Sequence, residues 1–118
     1  MTLAPQPNYI ALATITRWVD GDSLWMKPDL THRVSGSFEY RLLGVDCSDV
    51  KLPRKLSGDF ARSILPEGSV VSIRTEKDPE KYGRWLAVIY LDDGTTFNDL
   101  LLQRGYAVPY FGGKRAGK

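Results

Sequence analysis

The chain has 118 residues, of which 42% are apolar and 25% are charged. This length allows one globular domain over residues 1–118, with a core of roughly 10–111, and excludes a second one. A net charge of +2 is compatible with a nucleic-acid ligand but weaker than that of a sequence-reading DNA-binding domain. One cysteine and one histidine exclude an internal disulfide and a Cys/His zinc site.

Hydrolytic chemistry in such a chain must use carboxylates, a hydroxyl or a metal ion with oxygen ligands. The first residues, Met1–Asn8, carry no basic signal-peptide region. The apolar stretch that follows, Tyr9–Ile15, is too short for a signal-peptide core or a membrane span. We therefore expect a monomeric cytoplasmic protein with no membrane partner.

The first part of the chain predicts a meander of three strands. Ile10–Val19 alternates and is rich in Ile, Ala and Thr, which is typical of a strand. Asp20-Gly21-Asp22 turns the chain into a second strand, Ser23–Lys27. After a polar loop, a third strand is predicted over Ser37–Val45.

The next part predicts a helix and two strands. Ser57–Leu65 places its apolar residues on one helical face, and Pro66-Glu67-Gly68 ends the helix. The two apolar segments Val70–Thr75 and Trp85–Leu91 predict the fourth and fifth strands.

A second helix is predicted near the end of the chain. Thr96 is its expected N-cap, with Asp99 three residues later as in a capping box, and Gly105 suits the position after its last turn. From Gly112 onward the tail is expected to be flexible. Three strands, a helix, two strands and a helix predict a mainly β (α+β) fold, a five-stranded OB-fold barrel with two helices, whose faces and loops suit oligonucleotides.

Five charged residues interrupt or border the apolar strand segments: Asp22, Arg41, Asp46, Asp49 and Arg84. Ionised groups in such places are costly unless they pair with one another or bind a ligand. Three carboxylates and two guanidiniums sum to −1, so pairing among themselves does not neutralise the set. A divalent cation would make the set positive and so complementary to a phosphodiester anion, which predicts phosphoryl chemistry. Oxygen ligands at irregular spacing favour Ca²⁺, although the chain has no EF-hand loop.

Four short motifs occur in order between about residues 11 and 111: Val19-Asp20-Gly21-Asp22-Ser23, Arg41-Leu42-Leu43-Gly44-Val45-Asp46, Lys81-Tyr82-Gly83-Arg84-Trp85-Leu86-Ala87, and Asn98-Asp99 with Leu101 and Gly105. These motifs resemble those of the staphylococcal nuclease (thermonuclease) family. The resemblance implies a calcium-dependent nuclease that hydrolyses phosphodiester bonds of DNA or RNA in single-stranded or frayed regions.

The resemblance also implies roles for the charged residues. Asp22 and Asp46 would be the side-chain calcium ligands, and the backbone carbonyl of Cys47 would lie beside them. Arg41 would hold the scissile phosphate, and Arg84 would stabilise charge as the bond to the leaving oxygen breaks. A guanidinium suits both roles because its planar fork pairs two phosphate oxygens and stays charged.

The remaining implied contacts lie in two loops and near the end of the chain. Asp49 stands where the family has a glutamate that orients or deprotonates the attacking water. Lys81 and Tyr82 would contact a neighbouring phosphate. Tyr110 or Phe111 would stack on a base.

The sequence departs from the family pattern after the second ligand, at Cys47-Ser48-Asp49, where the family has Thr or Ala, then Pro, then Glu. Loss of the proline loosens the loop, and aspartate is one methylene shorter than glutamate, so we expect a slower enzyme. The same departure is compatible with a second function, that of a module that binds nucleic acid or a protein motif without cutting it. The family's last helix also has no counterpart in this sequence.

Overall fold

The computed structural model describes residues 9–29, 36–47, 54–77, 84–111 and 114–115. Neither helix within these ranges is long and apolar enough to cross a membrane. The elements in chain order are β1 (Tyr9–Asp20), β2 (Ser23–Pro28), β3 (Phe38–Leu42), β4 (Val45–Asp46), α1 (Arg54–Ile64), β5 (Val70–Lys77), β6 (Trp85–Tyr90), α2 (Phe97–Gln103), β7 (Val108–Phe111) and β8 (Lys114–Arg115).

Five strands close into a barrel in the order β1-β2-β3-β6-β5. The first three form the predicted antiparallel meander, and β5 pairs antiparallel with both β1 and β6. The barrel is mixed because β3 and β6 run parallel, with Arg41 opposite Leu86. This arrangement confirms the predicted five-stranded, OB-like barrel with two helices.

The barrel core follows from the alternation of side chains along the strands. In β2, Leu24 and Met26 are fully buried, while Trp25 between them is half-buried. Trp18 of β1 is also buried, and its indole N–H donates to the carbonyl of Leu65 at 2.8 Å. Burial of these large side chains, each contributing about 1.5–3 kcal/mol, holds the strands and α1 around one core.

The second helix closes the core and begins and ends as predicted. The Thr96 hydroxyl accepts a hydrogen bond from the Asp99 N–H at 3.1 Å, and Gly105 has a φ of +79°, which suits the left-handed position after the helix. Phe97, at the start of α2, is fully buried and packs against the Trp18 ring at a centroid distance of 5.4 Å. Aromatic packing thus joins α2 to β1.

The third predicted strand, Ser37–Val45, is divided in the structure. It ends at Leu42, turns at Gly44, which has a φ of +81°, and resumes as the short strand β4. β4 leaves the barrel because it pairs with β7, Val45 opposite Pro109. The sequence pattern did not predict β4, β7 or β8. Lys114–Arg115 lie within the stretch from Gly112 that the sequence predicts to be a flexible tail, and they form β8, which pairs with β7.

The first predicted helix, Ser57–Leu65, is also shifted. α1 begins three residues earlier, at Arg54, and ends at Ile64. After it, Gly68 adopts a φ of +97° within the predicted Pro66-Glu67-Gly68 stop. Most of the apolar face predicted for the helix is retained: Ala61 is fully buried and Phe60 and Leu65 pack against the core, whereas Ile64 is 37% exposed.

Candidate active site

Asp22 lies in the turn between β1 and β2, and its side chain is buried, with 1% exposed. Its backbone carbonyl accepts from the Leu42 N–H at 2.8 Å, which fixes the turn against the end of β3. Its carboxylate accepts from the Cys47 N–H at 2.9 Å and from the Ser23 hydroxyl at 3.3 Å. The Asp22 carboxylate is therefore held by two separate segments of the chain.

Arg41, on β3, brings the two buried carboxylates together. Its guanidinium lies 3.6 Å from an Asp22 oxygen and 3.9 Å from an Asp46 oxygen. It also donates to the Val45 carbonyl at 3.1 Å and lies over the Tyr110 ring, 4.9 Å from the centroid. The Arg41 side chain is 17% exposed, so the guanidinium is the solvent-facing member of the cluster.

Asp46 and Tyr110 reach this cluster through the β4–β7 pair. Asp46 is 3% exposed and lies opposite Val108 in that pair. The Tyr110 N–H donates to the Gly44 carbonyl at 2.9 Å, which continues the pairing next to Arg41. The strand pair that the sequence pattern missed is thus the element that places one acid and one aromatic ring at the site.

Asn98 secures the chain between β3 and β4. Its side-chain amide is buried, and its N–H groups donate to the carbonyls of Leu43 and Ala87 at 2.9 and 3.0 Å. Its oxygen accepts from the Ile89 N–H at 3.1 Å. Asn98, the asparagine of the fourth motif, therefore fixes the backbone just before the turn at Gly44, and this turn leads into β4, which carries Asp46.

Cys47 contributes its backbone N–H to the site, as the contact with Asp22 shows. Burial, and after it the charge of Asp22, raises the pKa of the Cys47 thiol to about 12, although a hydrogen bond from Ser57 lowers it. The raised pKa favours the protonated thiol at neutral pH, which is a weak nucleophile.

Arg84 is half-buried and lies immediately before β6. The residue after it, Trp85, is the register partner of Tyr40, and the next, Leu86, is the partner of Arg41. Because β3 and β6 are parallel neighbours, Arg84 lies just before the strand adjacent to the one that carries Arg41.

Three predicted site residues, Asp49, Lys81 and Tyr82, lie outside the described residues, and of Phe111 only the backbone in β7 is described. The described part of the chain brings together Asp22, Arg41, Asp46, the Cys47 backbone and Tyr110. Within it, no group of three or more acidic, histidine or cysteine side chains forms a metal cage. Two carboxylates, Asp22 and Asp46, lie beside the Arg41 guanidinium there.

Ser57, on α1, is a site residue that sequence reasoning missed. It is 2% exposed, and its hydroxyl accepts from the Gly21 N–H at 3.1 Å. One signal was present in the sequence: Ser57 lies four residues before Ala61, a position on the buried face of the helix. A hydroxyl among apolar positions requires a partner, which makes such a serine worth noting.

The comparisons with known proteins agree with this geometry. A family model described as staphylococcal nuclease homologue matches residues 39–118, which is more than half of the chain. The chain belongs to the staphylococcal nuclease family. The match includes Arg41, Asp46 and Arg84 and begins after Asp22.

The chain is also similar to Endonuclease YhcR of Bacillus subtilis strain 168, with 26% identity over 110 residues. The alignment covers 82% of this chain and 9% of that protein, so the chain spans less than a tenth of the length of the relative. Together the family match and this distant relative support a nuclease-type function.

Proposed function

We propose that this domain hydrolyses phosphodiester bonds of DNA or RNA in a calcium-dependent reaction. The observation that carries the proposal is the cluster of two buried carboxylates, Asp22 and Asp46, on either side of the partly exposed Arg41 guanidinium. Two buried carboxylates beside one guanidinium carry a net charge of −1, which favours the binding of a cation. Family membership supports the same reading.

The residues present fit a hard divalent cation. Asp22 and Asp46 offer carboxylate oxygens, and the chain after Asp46 folds back so that the Cys47 N–H contacts Asp22. We assign the two carboxylates and the Cys47 carbonyl as ligands, with water and substrate oxygens completing the six to eight that Ca²⁺ takes. When bound, the ion would stabilise negative charge on the phosphate oxygens. Two carboxylates and Arg41 sum to −1, so a dication makes the site +1 and matches one phosphodiester charge.

Arg41 suits a phosphate because it keeps hydrogen-bond donors available. One of its N–H groups donates to Val45, whereas its contacts with the two carboxylates, 3.6 and 3.9 Å, exceed the ~2.7–2.9 Å of a charge-assisted hydrogen bond. A guanidinium has five N–H donors in a planar fork. We assign Arg41 to the non-bridging oxygens of the scissile phosphate.

Two further residues complete the proposed chemistry. Arg84 precedes β6, the neighbour of the strand that carries Arg41, and we assign it to the charge that develops on the leaving oxygen. Asp49 follows the Cys47 ligand by two residues, and we assign it to orienting or deprotonating the attacking water.

The proposed substrate contacts extend the site along a single strand of nucleic acid. The Tyr110 ring already lies against Arg41, so a base stacked on Tyr110 or Phe111 would adjoin the bound phosphate. Lys81 and Tyr82 are assigned to a neighbouring phosphate. Stacking requires an unpaired base, which favours single-stranded or frayed regions. We propose that one copy of the chain suffices for this site.

A second candidate is a module that binds nucleic acid without cutting it. The specific observation in its favour is Cys47-Ser48-Asp49, which lacks the proline and the glutamate of the family pattern. Such a module would keep Arg41 for phosphate contact but would gain nothing from two buried carboxylates beside it. The carboxylate pair therefore favours the enzyme.

Cleavage of denatured DNA and of RNA in Ca²⁺ tests the proposal. We expect cleavage with Ca²⁺, none with excess EDTA, and a fall of about tenfold or more in kcat for Arg41→Lys, because lysine keeps the charge but loses the bidentate fork. Arg74→Lys is the matched control, since Arg74 pairs with Glu76 on β5, a strand that does not pair with β3, and its rate should equal that of the wild type.

Cleavage that persists in EDTA would contradict the metal dependence. Retardation of nucleic acid on a gel without any cleavage, in the wild type with Ca²⁺, would support the binding module instead. Equal loss of activity in the Arg41 and Arg74 variants would show that Arg41 has no specific role.

A further inference from the structure

One buried hydroxyl of the first helix, α1, contacts the turn between β1 and β2 that carries Asp22. The hydroxyl of Ser57 accepts from the Gly21 N–H at 3.1 Å, next to the proposed ligand Asp22. A Cβ added at Gly21 would lie 2.6 Å from the Cβ of Ser57. This close approach explains why glycine stands in the turn: any side chain there would push the helix and the turn apart.

The same hydroxyl reaches the second segment of the site. Ser57 hydrogen-bonds the Cys47 sulfur, and the Cys47 N–H in turn donates to the Asp22 carboxylate at 2.9 Å. A hydroxyl has one hydrogen to donate and lone pairs to accept, so Ser57 can make both contacts at once. Gly21, Ser57, Cys47 and Asp22 thus form a closed circuit of contacts.

This circuit ties together the two segments that carry the proposed metal ligands. Asp22 lies in the turn after β1, whereas Asp46 and the Cys47 carbonyl lie at the end of β4. Ligand affinity depends on how well such segments are held at the right separation, and hydrogen-bond partners behind the ligands supply that constraint. We propose that Ser57 is a positioning residue for the calcium site, an inference that rests on the proposed function.

The helix has its own attachment to the barrel, independent of Ser57. Arg62 donates to the Trp18 carbonyl at 3.0 Å, and the Glu67 carboxylate accepts from the Trp18 N–H at 3.2 Å and from Arg62 at 3.1 Å. Loss of the Ser57 hydroxyl therefore leaves α1 docked on β1. The effect of removing it is local to the turn and to Cys47.

Calcium affinity, measured by isothermal titration calorimetry with Ca²⁺ alone, tests the inference in Ser57→Ala, Ser57→Thr and Ser63→Ala. Ser63 is the matched control because it lies on the same helix, is exposed, and donates only locally, to the Phe60 carbonyl at 2.6 Å. We expect Ser57→Ala to bind Ca²⁺ about tenfold more weakly, as is typical for a residue behind a metal ligand. Ser57→Thr, which keeps the hydroxyl, should regain affinity, and Ser63→Ala should equal the wild type.

The kinetic readout separates positioning from catalysis. In Ser57→Ala the Ca²⁺ concentration for half-maximal cleavage should rise, while kcat at saturating Ca²⁺ stays within about twofold of the wild type. Thermal unfolding in EDTA should show Ser57→Ala folded. An unfolded Ser57→Ala beside a folded Ser57→Thr would assign the hydroxyl to the fold and overturn the positioning role.

Failure of the proposed function and failure of this inference alone would give different results. If the wild type and Ser63→Ala bind no Ca²⁺, the proposed function fails and the inference falls with it. If the wild type binds Ca²⁺ and Ser57→Ala binds it equally well, the inference alone is wrong.

Discussion

At the residue scale, the site is defined by what surrounds each charge. Asp22 is almost fully buried yet accepts two hydrogen bonds, and Arg41 is the most exposed member of the cluster. Burial of a carboxylate strengthens its interaction with any cation because the local dielectric is low. This effect supports our proposal that the two acids bind a cation.

Asp49 carries the most specific prediction at this scale. Lengthening it, Asp49→Glu, restores the residue type of the family and should raise kcat by about tenfold, because a misplacement of ~1 Å can cost on the order of a hundredfold. Asp49→Ala should lower kcat further. The measurement is single-turnover cleavage of denatured DNA at saturating Ca²⁺.

The control for this prediction is Asp59→Glu on α1, where Asp59 forms an exposed pair with Arg62. The same lengthening there should leave the rate unchanged. If Asp49→Ala cleaves as fast as the wild type, Asp49 has no part in the chemistry.

At the element scale, the site depends on how short strands leave the barrel. β3 ends at Leu42, and β4, only two residues long, pairs with β7 instead of continuing the sheet. Asn98 makes this departure possible because it supplies side-chain partners to backbone groups that a continuing strand would otherwise pair. Through Asn98, α2 thus fixes the backbone next to the site, and α1 contacts the turn before Asp22 through Ser57.

Asn98→Ala tests this role. It leaves the buried carbonyls of Leu43 and Ala87 and the N–H of Ile89 without their side-chain partner. We expect the free energy of unfolding, measured with urea, to fall by about 2–4 kcal/mol. The exposed Gln103 on the same helix supplies the control, Gln103→Ala, which should cost less than about 0.5 kcal/mol. Equal losses in the two variants would contradict the role assigned to Asn98.

At the scale of the whole molecule, the barrel could be predicted from the sequence and part of the site could not. Alternation in Ile10–Val19 and the apolar run at Trp85 mark barrel strands because each strand buries one face. The sequence does not predict β4 because two residues are too few to show the alternation of a strand. The residue that pairs with Val45, Pro109, also lies far along the chain. Ser57 was not predicted for a similar reason: its contact with Gly21 joins distant residues, and local pattern does not report such contacts.

The sequence predicts each charged residue of the site individually. The fold explains why three of them, Asp22, Arg41 and Asp46, lie close together. The antiparallel pairing of β3 with β2 puts Arg41 beside Ser23, next to the turn that carries Asp22. The β4–β7 pair then adds Asp46. Two carboxylates beside one guanidinium leave this assembly with a net charge of −1, and we propose that a divalent cation binds there.

Calorimetric titration of the wild type with Ca²⁺, with and without a nucleoside diphosphate, tests this claim most directly. We predict binding of one Ca²⁺, at least tenfold weaker in Asp22→Asn and in Asp46→Asn because each loses a charged ligand, and unchanged in Asp59→Asn, whose carboxylate lies exposed on α1. The absence of any binding heat or thermal shift in the wild type, or equal affinity in the Asp22 and Asp59 variants, would contradict it.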